Sequence, residues 1–176
     1  MHRALLVVPR DDLSVAQYRR TRKMLEERGF QVQVAACRRD EIKLRDFSLL
    51  PDLELAQARG RDYDLVVFVA GRGNKELWQN PAAHQVARDA LAASRVVGAS
   101  GAAVPILAYA GILQGRCATG PISLATLLGA RGVKYTAGPV ALDDGIVTLR
   151  KSEFYSSFAQ QLLKQVSQRA SRLTAG

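Results

Sequence analysis

The order of apolar runs and amphipathic segments predicts an α/β fold, a mostly parallel sheet with helices on both faces. Three observations carry this. Short unbroken apolar runs occur at residues 4–8 (ALLVV) and 64–70 (DLVVFVA), as in parallel strands buried on both sides. Segments of helical length with one apolar face lie between such runs. Residues 95–113, RVVGASGAAVPILAYAGIL, open apolar at Val96 and Val97 and narrow to six tiny residues. They then turn apolar nearly all round, which reads as a buried strand, a tight turn and a buried helix.

The elements follow in order. Residues 4–8 form the first strand. Residues 11–28 read as a helix with Tyr18, Thr21 and Leu25 inward and Gly29 as its stop. Residues 31–36 alternate, with Val32 and Val34 inward, as in a half-buried strand. Residues 38–61 are polar and contain Pro51, so a short hairpin or irregular excursion is expected. After the strand at 64–70 comes a Gly-rich turn at residues 71–74. Asn80 and Pro81 then start a helix as N-cap and first position. Its inward residues are Ala83, Val86, Ala87, Ala90 and Leu91. A shorter helix is expected in 119–129, and a hairpin at 140–149 around Asp143-Asp144-Gly145. Ser152 is expected to cap a last helix in which Phe154, Phe158, Leu162 and Val166 recur every four residues.

Composition excludes several classes. The 176 residues suit one domain spanning 1–176, with 48% hydrophobic and 23% charged residues. No apolar run reaches the roughly 18–20 residues of a membrane helix. The N-terminal apolar run is too short for a signal peptide and no small-residue cleavage site follows it, so a cytoplasmic protein is expected. Cys37 and Cys117 have no second Cys or His at ligand spacing, so neither a disulfide framework nor a metal site is expected. The formal charge of +9 is scattered along the chain. Arg19, Arg20, Arg22 and Lys23 point around several sides of a helix. That pattern favours a solvated basic surface over nucleic-acid binding.

Several fragments resemble one family. "MLEERGFQVQVAA" after the first strand, "PDLELAQARGRDYDLVVFVAGRGN", "ILAYAGILQGRCAT" and "VALDDGIVTLRKSEFYSSFAQQLLKQV" fall in the order and spacing of the ThiJ/PfpI family. This family belongs to the glutamine-amidotransferase-like superfamily. The resemblance runs nearly end to end and implies a flavodoxin-like three-layer sandwich. Its active members place a Cys at the strand-to-helix elbow, usually followed by His, with a Glu from the first helix beside it. Depending on register, the Cys position falls on Gly101, Ala102 or Ser100, and the Glu position on Gln17. The resemblance therefore implies a chain lacking thiol, imidazole and carboxylate.

Replacement chemistry is poorly supplied. Ser100 would need a base, and the histidines are His2 and His84, neither of which strand order brings to the elbow. Cys117 reads as a small buried hydrophobe, Cys37 as a thiol that could be exposed, and Trp78 as a liner of the pocket mouth or, the favoured reading, a cap on the core. A residual pocket would be lined by Gln17, Tyr18, Gly71, Arg72, Ser100, Gly101 and Ala102, with Arg150 beside it. Two functions follow: a pseudoenzyme that binds a small acidic ligand or a protein partner, or a lyase, hydratase or cyclase working without covalent catalysis. No cofactor is expected. Many members of the resembled family associate, so a homodimer or larger homo-oligomer is expected.

Overall fold

The computed structural model describes residues 1–176. Its centre is a seven-stranded sheet. The elements run β1 (Arg3–Val7), α1 (Val15–Glu27), β2 (Gln31–Ala36), β3 (Ile42–Leu44), β4 (Phe47–Leu49), β5 (Leu53–Glu54), β6 (Leu65–Phe68) and α2 (Pro81–Ala92). They continue with β7 (Val96–Ser100), α3 (Val104–Tyr109), β8 (Cys117–Ala118), α4 (Ala125–Ala130), β9 (Lys134–Tyr135), β10 (Val140–Asp143), β11 (Ile146–Leu149) and α5 (Tyr155–Thr174). Strand order is β10-β11-β7-β6-β1-β2-β5, and every neighbouring pair is parallel except β10 with β11.

Pleating explains the unbroken apolar runs. In β1, Leu5 and Val7 join one buried cluster with α2, α3 and α4, while Ala4 and Leu6 join another with α1 and α5. Both faces of the sheet are covered, so each central strand needs apolar residues at every position. This is the flavodoxin-like sandwich.

Most boundaries match the sequence reading, and the differences have local causes. The first helix starts at Val15 because Asp12 has φ 48° and Leu13 forms an antiparallel bridge with Gly71. Ser14 is the N-cap, its side chain accepting from the Gln17 N–H. Residues 98–100 belong to β7 and not to the turn. Gly98 keeps the strand close to α5, since a Cβ there would lie 2.7 Å from Leu162 Cδ2. The turn proper is a 3₁₀ segment, Gly101–Ala103.

The excursion after β2 contains the hairpin β3–β4 and also supplies β5 as an edge strand. Strands β8 and β9 pair in parallel outside the main sheet. Asp144 and Gly145 form the β10–β11 turn with φ 46° and 78°, a conformation suited to tight hairpins. Ser152 opens a 3₁₀ turn but caps nothing, since α5 begins at Tyr155 without a side-chain cap. Leu91 is only partly buried. No helix is long and apolar enough to cross a membrane.

Candidate functional site

The sheet's carboxyl edge brings together the ends of β6 and β7 and the first turn of α1. The strand order reverses between β1 and β6, where open α/β sheets leave a crevice. Here the chain fills it. Residues 11–13 pack on Gly71 and Gly73. A Cβ on Gly71 would lie 2.5 Å from the Asp12 carbonyl oxygen, and one on Gly73 would strike that of Asp11.

The next corner is the elbow after β7. Ser100 is 2% exposed. Its Oγ donates to Gln17 Oε1 at 2.8 Å and accepts from the Ala70 N–H at 3.2 Å. Gly101 has φ 54°, in the left-handed region that a residue with a side chain enters only at a cost. A Cβ there would meet only Ala70 Cβ, at 3.5 Å, so space is not what requires glycine. The Ala102 carbonyl accepts from Trp78 Nε1–H at 2.7 Å. Trp78 stacks on Tyr109 with ring centres 6.4 Å apart, and its own carbonyl meets His84 Nε2 at 2.7 Å.

A second polar chain ties α1 to α5. Tyr155 Oη donates to Thr21 Oγ1 at 2.8 Å, and Thr21 Oγ1 donates to the Gln17 carbonyl at 2.7 Å. Burial raises the Tyr155 pKa above the usual phenol value, with the Thr21 hydrogen bond acting the other way. Thr21 was legible only as an inward residue. Its bond to Tyr155 spans 134 positions of sequence and had no local signal.

The other expected liners separate. Tyr18 is buried in α1 with its ring 5.6 Å from that of Phe47, and its hydroxyl accepts from Arg22 Nη1 at 2.8 Å. None of its hydrogen bonds reaches the elbow. Arg72 is exposed, its N–H donates to the Asp12 carbonyl, and its guanidinium has no hydrogen-bond or ion-pair partner. Arg150 follows Leu149, which lies opposite Ser100 across the β11–β7 ladder. Its buried Nε lacks an acceptor, and its guanidinium lies 5.9 Å from the Phe154 ring centre. Asn74, fully buried, donates from Nδ2 to the Val69 carbonyl and leaves Oδ1 unpartnered.

Neither cysteine is at the elbow. Cys37 is half-buried in a polar cleft of about 290 Å³ that it shares with Arg10, Asp11, Arg38 and Glu76. Arg10 is occupied there, donating to the carbonyls of Arg38, Asp40 and Glu41 and to the Asp40 carboxylate. Cys117 is exposed, contrary to the buried position expected: side chains alternate along β8, and it is Ala118 that is fully buried. His2 lies beside Asp64 at the amino end of the sheet, 3.5 Å away. Trp78 is only partly buried and bonded to the turn. No three His, Cys, Asp or Glu side chains converge in a way that could hold a metal ion.

Chemically, the elbow is a lock. Ser100 has an amide oxygen and a backbone N–H as partners and no base to take its proton. Five clefts elsewhere on the surface, of about 160 to 500 Å³, include none of Gln17, Tyr18, Gly71, Arg72, Ser100, Gly101 or Ala102 in their linings.

Against known proteins, the model of the DJ-1/PfpI family matches residues 2–165. The chain belongs to the DJ-1/PfpI family. An uncharacterized protein of Methanocaldococcus jannaschii is 25% identical over 169 residues, covering 93% of this chain and 82% of that protein. An uncharacterized protein of Archaeoglobus fulgidus is 26% identical over 141 residues, covering 80% and 84%. Among solved structures, a ThiJ/PfpI domain protein from Brachyspira murdochii is similar with TM-score 0.88 and 21% identity, covering 94% of this chain and 96% of that one. Drosophila melanogaster DJ-1beta matches with TM-score 0.81 and 23% identity, covering 98% and 97%. These structural likenesses support the fold.

Proposed function

We propose that this chain is a DJ-1/PfpI-family protein without thiol chemistry at the elbow, acting as a module that binds a protein partner or a small acidic ligand. One observation carries the reading: the turn residue at positive φ is Gly101, and the hydroxyl before it is held between Gln17 and the Ala70 N–H. A thiolate nucleophile needs a sulfur at the turn and polar partners that favour its anion. Here Gln17 offers an amide where a carboxylate would exchange a proton. Arg72 and Arg150, both without acidic partners, are the groups that would meet a ligand's carboxylate. The same reading takes residues 1–176 as one domain and expects a homodimer or larger.

The test is turnover before and after alkylation. Purified protein is expected to show no thiol-dependent hydrolysis, deglycation or methylglyoxal consumption. Activity that survives purification and is lost when Cys37 or Cys117 is alkylated would overturn the reading. Turnover insensitive to alkylation would favour the non-covalent enzyme instead. Sedimentation across micromolar concentrations checks association, with a single monomeric species counting against it.

A further inference from the structure

A groove of about 330 Å³ runs between α1 and α5 on the face of the sandwich away from α2 and α3. Met24 and Leu163, both half-buried, supply its apolar surface above the buried Tyr155, and Arg20, Lys23 and Arg28 line its α1 side. Glu27 is the one acid in the lining, and Lys23 pairs with it at 3.8 Å. Arg20 stacks over Tyr155 at 4.3 Å and has no carboxylate partner, and Arg28 has none either. By contrast, Arg22 on the same helix is fully engaged by Glu26 and Tyr18.

We propose that this groove docks an acidic amphipathic helix from a partner protein. Apolar surface between two helices receives a third helix's apolar stripe. The two unpaired arginines are eight residues apart, about 12 Å along the axis at 1.5 Å per residue. They fit carboxylates two turns apart on the incoming helix. A second copy of this chain does not supply free carboxylates on a helix: α3, α4 and α5 contain no Asp or Glu, Glu26 and Glu27 of α1 are paired with Arg22 and Lys23, and Asp89 of α2 is paired with Arg61 at 3.4 Å. The assignment stands whatever chemistry the elbow performs.

The probe is a panel of fluorescein-labelled 18-residue helical peptides with a leucine stripe and glutamates one, two or three turns apart, read by fluorescence anisotropy. Peptides with glutamates two turns apart are expected to bind best, less tightly as salt rises. Arg28→Glu and Arg20→Gln are each expected to weaken binding about tenfold, while Lys134→Gln, which removes an exposed charge on β9, leaves it unchanged. Circular dichroism of each variant establishes that it is folded, and Lys23→Glu serves if either is not. The proposal is overturned if no acidic peptide binds, if lysine-for-glutamate peptides or peptides without the stripe bind equally, or if folded charge variants bind normally. Tighter binding of a duplex oligonucleotide through the same arginines, or loss of a dimer in Arg28→Glu, would also overturn it.

Discussion

The elbow and the α1–α5 groove share one helix and treat their polar groups in opposite ways. At the elbow, Ser100 Oγ is bonded to Gln17 Oε1 and the Ala70 N–H, and the Ala102 carbonyl to the Trp78 indole. In the groove, Arg20 and Arg28 on the outer side of α1 have no protein acceptor. A buried polar group with its partners in place holds structure, because losing one partner costs the desolvation of the other. An exposed cation beside apolar surface costs the fold nothing and is free to meet a ligand. The contrast lies within one helix, closed on its inner face and open on its outer one.

The severest way to break it is Gly73→Ala, which drives a methyl into the Asp11 carbonyl and lifts residues 11–13 from the sheet edge. A loss of about 3 kcal/mol is expected in urea unfolding; an unchanged midpoint would mean that this packing does not hold the edge closed. Next comes Ser100→Ala, which leaves the buried Ala70 N–H and Gln17 Oε1 without a partner. It should cost about 1–3 kcal/mol and no activity. A variant that is as stable as the parent would refute the lock.

Gly101→Cys is expected to fold with a loss of about 1–2 kcal/mol from the left-handed backbone alone, since there is room for the side chain. It should gain no thiol-dependent turnover, because neither Ala102 nor Gln17 provides a base. Turnover from this single change would show that the missing partners come from elsewhere. Arg28→Glu sharpens the other half of the comparison: its stability should stay within about 0.5 kcal/mol while peptide affinity falls.

The last prediction concerns pH. Burial raises the phenol pKa of Tyr155, and of Tyr63, which donates to Gln33 Oε1 at 2.6 Å. The folded state therefore holds these protons more tightly than the unfolded chain. Their contribution is complete below the unfolded pKa of about 10 and is lost as pH rises through the raised folded values. Stability should fall on the alkaline side, less steeply in Tyr155→Phe. An equal slope in parent and variant would exclude Tyr155 as a source.

Local pattern made the strands, the Asn80-Pro81 helix start and the Asp144-Gly145 turn readable, because each depends on neighbours within a few residues. It also marked Ser100 and Gly101, since small residues between two apolar runs mark a turn, whereas Gln17 came only from the family resemblance. It missed β5, β8 and β9, each two residues long and paired only through distant segments. It extended α1 too early because the bridge from Leu13 to Gly71 overrides helical spacing. Tyr18 is expected among the elbow's liners but does not join them. One residue along a helix is a rotation of about 100°, and that turns Tyr18 toward Phe47.

By itself, then, the sequence determined the alternation of strand and helix, the two buried faces and the absence of a sulfur at residues 100–102. These follow from hydrophobic periodicity and residue identity, which are properties of the chain in order. Tertiary structure alone decided that Ser100 is held by Gln17 across 83 positions and that Tyr155 reaches Thr21 across 134. It also left Arg20 and Arg28 facing a shared groove without a carboxylate. Whether a polar group has a partner depends on which distant segments pack beside it, and no local pattern encodes that.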